Sequence, residues 1–503
     1  MSVIRSAFIF FFLSISYLLS AQENTKINLD SANTWEYNKD FKQDVQRIIG
    51  HVKFTHDSAN LYCDSAYMND AQNSVLAFGN VRIRISDTLN MYGDSAKYNG
   101  NTKIARIYSN VRLIDNQTIL TSDTVIYDRN TRIARYDYWG KIVNDKNILV
   151  SEHGYYYTDL KEFFFKNKVL LINPDYTMHS DTLMYQTVTE TAYFYGPSNI
   201  VSKNKQDSIY CQNGWYDTRN DIARFCEKSK IYHEDQYLTG DSIYYERANG
   251  FGQAFQHAML KDSTQNVMLT GNYGELQRRK GVAYMTDSAM VIMVDQEDSL
   301  FMHSDTVRAT FDTAQNIKNV FCFFKVKFFR DDMQGKADSL VYHALDSAMT
   351  MYHDPVIWSG KNQLTADSIT LTLLNGQPDS MKLYNSAFII SLDDSNKYNQ
   401  IKGRNIFSKF RNREMYKVNV LGNAETIYYV REEDRSLIGI NKAVASDMLI
   451  FLDKNAIKTI TYIDRPQATM YPEKDMSPYD LKLKNFIWLD DQRPASKEDI
   501  FIW

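Results

Sequence analysis

An aspartate recurs along this chain in one fixed setting, and its carboxylate is the first group that could do chemistry. The setting is an apolar residue three positions before it, a small residue just before it, and Ser or Thr just after. A Tyr often follows three or four positions on. It reads Leu61-Tyr-Cys-Asp64-Ser-Ala-Tyr67, then Met91-Tyr-Gly-Asp94-Ser-Ala-Lys-Tyr98, then Leu120-Thr-Ser-Asp123-Thr-Val-Ile-Tyr127. Further copies centre on Asp181, Asp241, Asp305 and Asp367. A row of carboxylates could bind calcium or act as general acids and bases. Calcium-binding β-rolls need a Gly-rich nine-residue period, and this chain has only 20 Gly. Single copies also replace Asp with Gln212, Asn272 and Arg404. Such substitutions suit a structural carboxylate that accepts local hydrogen bonds at a bend.

Two copies, His179-Ser-Asp181 and His303-Ser-Asp305, hold the residue types of a hydrolase triad. Neighbouring residues on a strand point to opposite faces, so neither copy forms a triad by itself. No nucleophile elbow, phosphate-binding loop or HExxH motif occurs. Cys63, Cys211, Cys226 and Cys322 show no metal-ligand spacing. These residues point to a protein that is not an enzyme and carries no metal or cofactor.

The elements that position the aspartates follow from their spacing. Counting degenerate copies at Glu152, Gln212 and Asn272, the steps from residue 64 to residue 272 are 30, 29, 29, 29, 31, 29 and 31. A period of this size marks stacked supersecondary units. The steps lengthen toward the C-terminus, where the extra residues are expected in loops. A second box falls about 15 residues after each Asp, as in Gly79-Asn80-Val81, Ser109-Asn110-Val111, Gly140-Lys141-Ile142 and Gly422-Asn423-Ala424. Gly and Asn tolerate positive φ, so these positions read as turns. Tyr, Val, Ile, Thr and Phe fill the stretches between, and no 3.6-residue period is sustained. Each period therefore holds two strands. The residue three before Asp and those two and four after it have opposite parity. A flat strand cannot put all of them on one face. A bend or bulge near Asp resolves this, so Asp64, Asp94, Asp123, Asp181, Asp241, Asp305 and Asp367 are expected bend positions. The sheet then folds into a curved, half-open trough. Val125, Leu183 and Ile243, with Ile104, Ile133 and Ile222 on partner strands, are the candidate lining.

The chain has 503 residues, 44% of them hydrophobic, which is ample for a large core. Its net charge is −4 and it has no basic stripe, which argues against nucleic acid. Residues 1–21 read as a cleaved signal peptide, with Arg5 before the apolar run Ala7–Leu19 and the small pair Ser20-Ala21 at the cut. Without Arg5, 56 basic residues face 61 acidic ones, a mature charge of −5. Four cysteines are too few for a disulfide-stapled scaffold, and whether Cys211 pairs with Cys226 stays open. Residues 22–49 read as a polar capping segment and 50–464 as the β-repeat region, with room for about thirteen periods. Residues 465–503 hold four of the eight prolines and read as a cap or docking tail.

The alternating Asp-Ser/Thr-x-x-Tyr and Gly-Asn-Val boxes, as in Leu61–Val81 and Met91–Val111, resemble the OstA/LptA family of lipopolysaccharide-transport proteins. The resemblance covers roughly residues 45–465, with room for two tandem OstA-like domains. The stretch from Phe486-Ile-Trp488 through Arg493 to Phe501 also looks like the ending of longer OstA-like members. The resemblance implies an all-β fold, an elongated β-jellyroll or taco of stacked antiparallel strands. It implies a periplasmic protein, peripheral to either membrane, that carries lipid A-anchored glycolipid toward the outer membrane along a hydrophobic groove. Implied partners are lipopolysaccharide and other jellyroll components, added by edge-strand pairing, and self-association by the same edges. The chain is too short to add a large outer-membrane barrel, so a soluble carrier is expected. The rival reading is a structural or adhesive extracellular β-solenoid with a closed core.

Overall fold

A computed structural model describes residues 25–37, 45–294, 298–432, 434–453 and 456–503. The expected signal peptide, 1–21, lies outside the described residues. The chain packs as two compact units, residues 1–166 and 167–503. The expected all-β fold is what forms: the described residues make antiparallel strands, short turns and a few 3-10 turns.

In the first unit the strands run 11–12 residues over Val45–His56, Ala59–Asn69, Ser74–Arg84, Leu89–Asn99, Ile104–Asp115 and Thr118–Asp128. Each pairs with the next, and each pairing breaks register once, near its middle. Phe78 pairs with Ser95 and Val81 with Gly93, so Gly79 and Asn80 face the single residue Asp94. Tyr108 pairs with Thr124 and Val111 with Ser122, so Ser109 and Asn110 face Asp123 alone. Two residues opposite one is a β-bulge, which bends the strand.

The bulge lies in the second box rather than in the Asp box. Gly79 and Asn80 have φ of 73° and 45°, and Ser109 and Asn110 have 58° and 52°. Asn is among the residues that adopt this region at least cost. The inserted pair leaves the parity of its own strand unchanged: Ala105, Ile107, Val111 and Leu113 are all buried. The strand opposite switches at Asp, burying Leu120 and then Val125 and Tyr127. Both arms of these long strands thus turn apolar residues to one interior.

The turns at one rim stack on one another. Gly100 N donates to Asn73 O at 2.8 Å, Arg129 N to Lys103 O at 3.2 Å, and Thr158 N to Arg132 O at 3.1 Å. At the start of the unit, the short strands Asn28–Ser31 and Thr34–Tyr37 pair along Val45–His56.

The second unit repeats the plan in strands such as Tyr176–Gln186, Ile222–His233 and Gln236–Glu246. Positive φ again marks residue pairs such as Glu227-Lys228, Gln256-His257 and Asn385-Ser386. Later the extra residues go into strands, not loops. Gln377–Asp394 and Glu414–Arg431 have 18 residues each, Lys397–Arg411 has 15 and Leu437–Asp453 has 17. Gln467–Tyr471, between Pro466 and Pro472, still pairs with Leu437–Asp453, and the ladder ends there.

The remaining tail runs back over the outer face of the same unit. Gln400 donates to Leu481 O at 2.7 Å and accepts from Leu483 N at 2.8 Å. Gln363 does the same with Ile487 O and Leu489 N, both at 2.7 Å. Gln334 accepts from Arg493 Nε at 2.7 Å. All three glutamines are buried and stand four residues before Arg404, Asp367 and Asp338, the same position of the repeat. Leu483 packs into Phe388, Ile390, Ile427, Tyr429 and Ile440.

Candidate functional site: an apolar interior beneath a polar seam

Val125, Leu183 and Ile243 are each 0% exposed. Each pairs with a buried neighbour: Val125 with Ile107, Leu183 with Phe194, and Ile243 with Phe225 and Ala254. Ile104, Ile133 and Ile222 are half-buried. The next residue in each case, Ala105, Ala134 or Ala223, is the buried one. Strand alternation puts the isoleucines on the opposite face. The inward alanines went unread in the sequence, although they carry a signal. Ala105, Ala134, Ala192 and Ala223 each stand eleven residues after an Asp position, at 94, 123, 181 and 212.

The seven recurrent aspartates are exposed on the outside of the bends. Asn80 donates to Asp64 at 2.8 Å and Asn110 to Asp94 at 2.7 Å. His257 Nδ1 lies 2.9 Å from Asp241, and Lys325 lies 3.4 Å from Asp305. Asp181 takes a 3.2 Å bond from Thr182, and the Asp367 N–H donates to Asn385 O at 3.1 Å. The hydroxyls of the triad-like boxes are held by nearby backbone. Ser180 Oγ donates to Thr182 O and Ser304 Oγ to Thr306 O, each at 3.0 Å. Among the described residues no three His, Cys, Asp or Glu side chains converge as a metal site would need. The four cysteines are free thiols, and burial pushes the Cys211 thiol up to about 12.

The two rims of the folded sheet meet in a polar seam. In the first unit, His56 Nδ1 lies 2.6 Å from Tyr98 Oη, and Arg129 donates to His56 O at 3.1 Å. Lys103 reaches Asp57 at 2.9 Å. Tyr156 donates to Asp115 at 2.6 Å, and Lys161 pairs with the same carboxylate. In the second unit, Gln236 donates to Gln315 O at 2.7 Å, Gln265 to Ile317 O at 2.9 Å, and Arg330 to Gly376 O at 3.0 Å. These partners lie far apart in sequence, so the bend alone brings them together.

The seam has a pH signature. Hydrogen bonds from Thr25 and Lys103 hold the Asp57 carboxyl at about 2, below its ordinary value. A carboxyl lowered by folding stabilises the fold above its unfolded pKa and loses that contribution as pH falls through the folded value. The Tm gap between the native chain and Asp57→Asn is therefore expected at about pH 5, shrinking as pH falls toward about 2. A gap that stays constant on acid titration contradicts this latch.

Space opens in the second unit. One cavity of about 460 Å³ lies among Val267, Met293, Leu300, Leu373 and Arg330. Another of about 730 Å³ lies among the long strands, with Ile389, Ile401, Met415 and Val418 on its apolar side. Lys361, Asp393, Asp394 and Arg431 line its polar side, and Arg431 is tied to Asp393 at 2.6 Å. Volumes of this size suit an organic ligand.

Residues 24–181 match the model of the OstA-like protein family. Among solved structures, the chain is similar to LptH, the LptA-homologous periplasmic component of the lipopolysaccharide transport device of Pseudomonas aeruginosa. The two are 14% identical, the match covers 22% of this chain and 76% of LptH, and the TM-score is 0.20. No curated protein matches.

Proposed function

From the premise that the chain is OstA-like over residues 24–181, we propose that it binds lipopolysaccharide by its lipid A acyl chains and carries it through the periplasm toward the outer membrane. The observation that carries the reading is an apolar interior that, among the described residues, is closed by contacts each of which involves a side chain. A seam hydrogen bond contributes about 1 kcal/mol net. An acyl chain gains about 0.8 kcal/mol for each CH₂ it buries. One chain of about a dozen methylenes therefore outweighs several seam contacts, and parting the arms trades arm–arm packing for arm–lipid packing. The cavities of about 460 and 730 Å³ offer space before any seam contact breaks.

The activity is binding and transfer, with no reaction. Partners are other jellyroll proteins of the export machinery, and further copies of this chain. They add at edge strands such as Asn28–Ser31, Thr34–Tyr37, Ala456–Ile463 and Gln467–Tyr471. A second reading, a structural or adhesive β-solenoid, is favoured by the closed packing around Val125, Leu183 and Ile243.

Mass spectrometry of lipid extracted from the denatured mature protein, made in a lipopolysaccharide-producing host, separates the two. Stoichiometric lipid A is the expected result. A lipid-free protein that also refuses added lipopolysaccharide supports the structural reading.

A further inference from the structure

We propose that Lys103 and Arg129, at the seam of the first unit, receive the phosphate of a lipid headgroup, which takes them from Asp57 and parts the seam there. The inference rests on the lipid-binding reading and adds a place and a trigger to it.

Among the described residues the charges are unequal at this point. Lys103 lies 2.9 Å and Arg129 3.8 Å from the same Asp57 carboxylate, with side chains only 15% and 11% exposed. The other polar atoms within reach of Arg129 are His56 O at 3.1 Å, His56 Nδ1 at 3.2 Å and Tyr98 Oη at 3.0 Å, none of them a carboxylate. Among the described residues two largely buried cations thus share one carboxylate, and a buried charge without an opposite partner is costly. At the next seam contact Lys161 pairs with Asp115.

An apolar opening lies directly beside this excess charge. It is about 20 Å³, lined by Ile27, Phe54, Leu61 and Ile83, and it is bordered by Tyr98 and Arg129 themselves. A cationic pair above a narrow apolar opening matches an anionic head joined to acyl chains. A phosphate offers several acceptor oxygens and up to two charges, so it satisfies both cations where one carboxylate does not. Asp57 joins the two rims through Lys103. Its replacement therefore removes one latch as the headgroup arrives.

The test uses the full mature chain and three probes: diphosphorylated lipid A, the same lipid dephosphorylated, and inorganic phosphate. The native chain is expected to bind the phosphorylated lipid about tenfold more tightly than the dephosphorylated one. Arg129→Gln is expected to remove that preference while keeping the binding of dephosphorylated lipid. Asp57→Asn, which frees both cations, is expected to strengthen the preference. Opposite signs in two variants of one latch exclude simple misfolding. Equal affinity of the native chain for both lipids overturns the headgroup site and leaves the carrier reading standing. Inorganic phosphate competing as strongly as the phosphorylated lipid also overturns it, since the site then takes a free anion. Failure of the native chain to bind either lipid overturns both readings.

Discussion

Replacing Lys161 with methionine is expected to lower the stability of the first unit by about 3 kcal/mol in urea denaturation. Asp115 has no side-chain exposure, and Lys161 is its cationic partner across the seam. Tyr156, beside them, donates a further hydrogen bond at 2.6 Å and stacks on Phe163 with centroids 4.1 Å apart. Burial pushes the Tyr156 hydroxyl well above its usual pKa, so it stays a donor. Without Lys161 the carboxylate is left buried with neutral donors alone among the described residues, Tyr156 and, at 3.4 Å, Asn116. The loss then comes from stranding a charge, far more than from the worth of the pair itself. Adding Asp115→Asn to the variant should restore most of the stability, because the amide oxygen still accepts from Tyr156 and carries no charge. A Lys161→Met protein as stable as the native chain shows that the rims are not held in this way.

The second large effect is at the tail. Gln400→Ala leaves the Leu481 carbonyl and the Leu483 N–H without their partner. A buried polar group left unpaired costs about 1–3 kcal/mol. Amide exchange across Leu481–Leu489 should therefore accelerate by roughly ten- to a hundredfold, with the interior strands around Leu183 unaffected. Gln363→Ala should act in the same way further along the tail. Leu483, seated among Phe388, Ile390, Ile427, Tyr429 and Ile440, is the apolar anchor between these clasps. Unchanged exchange in both variants means the glutamines do not hold the tail.

Much of this architecture was legible because strand side chains alternate with a period of two. The conflict between Leu120 and Val125 around Asp123 required a break in the sheet, and the register breaks there. The strand carrying the strained backbone was less visible. The Asp box holds the parity conflict, but the neighbouring Ser109-Asn110 supplies the positive φ. The bulged strand buries Ile107 and Val111 with one parity across the pair and so gives no signal in a hydrophobic pattern. Ile104, Ile133 and Ile222 drew attention by their hydrophobicity. The interior positions beside them belong to alanines, each paired with a large buried tyrosine on a neighbouring strand, Ala105 with Tyr127, Ala134 with Tyr156 and Ala223 with Tyr216, so a small side chain leaves room for a large one. The seam and the tail clasps join residues such as Gln236 with Gln315 and Gln334 with Arg493. Nothing local in a sequence marks contacts at that range, and a glutamine within a strand looks like any solvent-facing position.

On the proposed function, acyl chains occupy the space between the two arms. Photo-crosslinking side chains placed one at a time at the inward Val125, Leu183 and Ile243, and at the exposed Leu76 and Tyr195, test it most directly in cells that make lipopolysaccharide. Lipopolysaccharide adducts are expected from the three inward positions and none from the two outward ones. Adducts from the outward positions alone, or from no position, would contradict it.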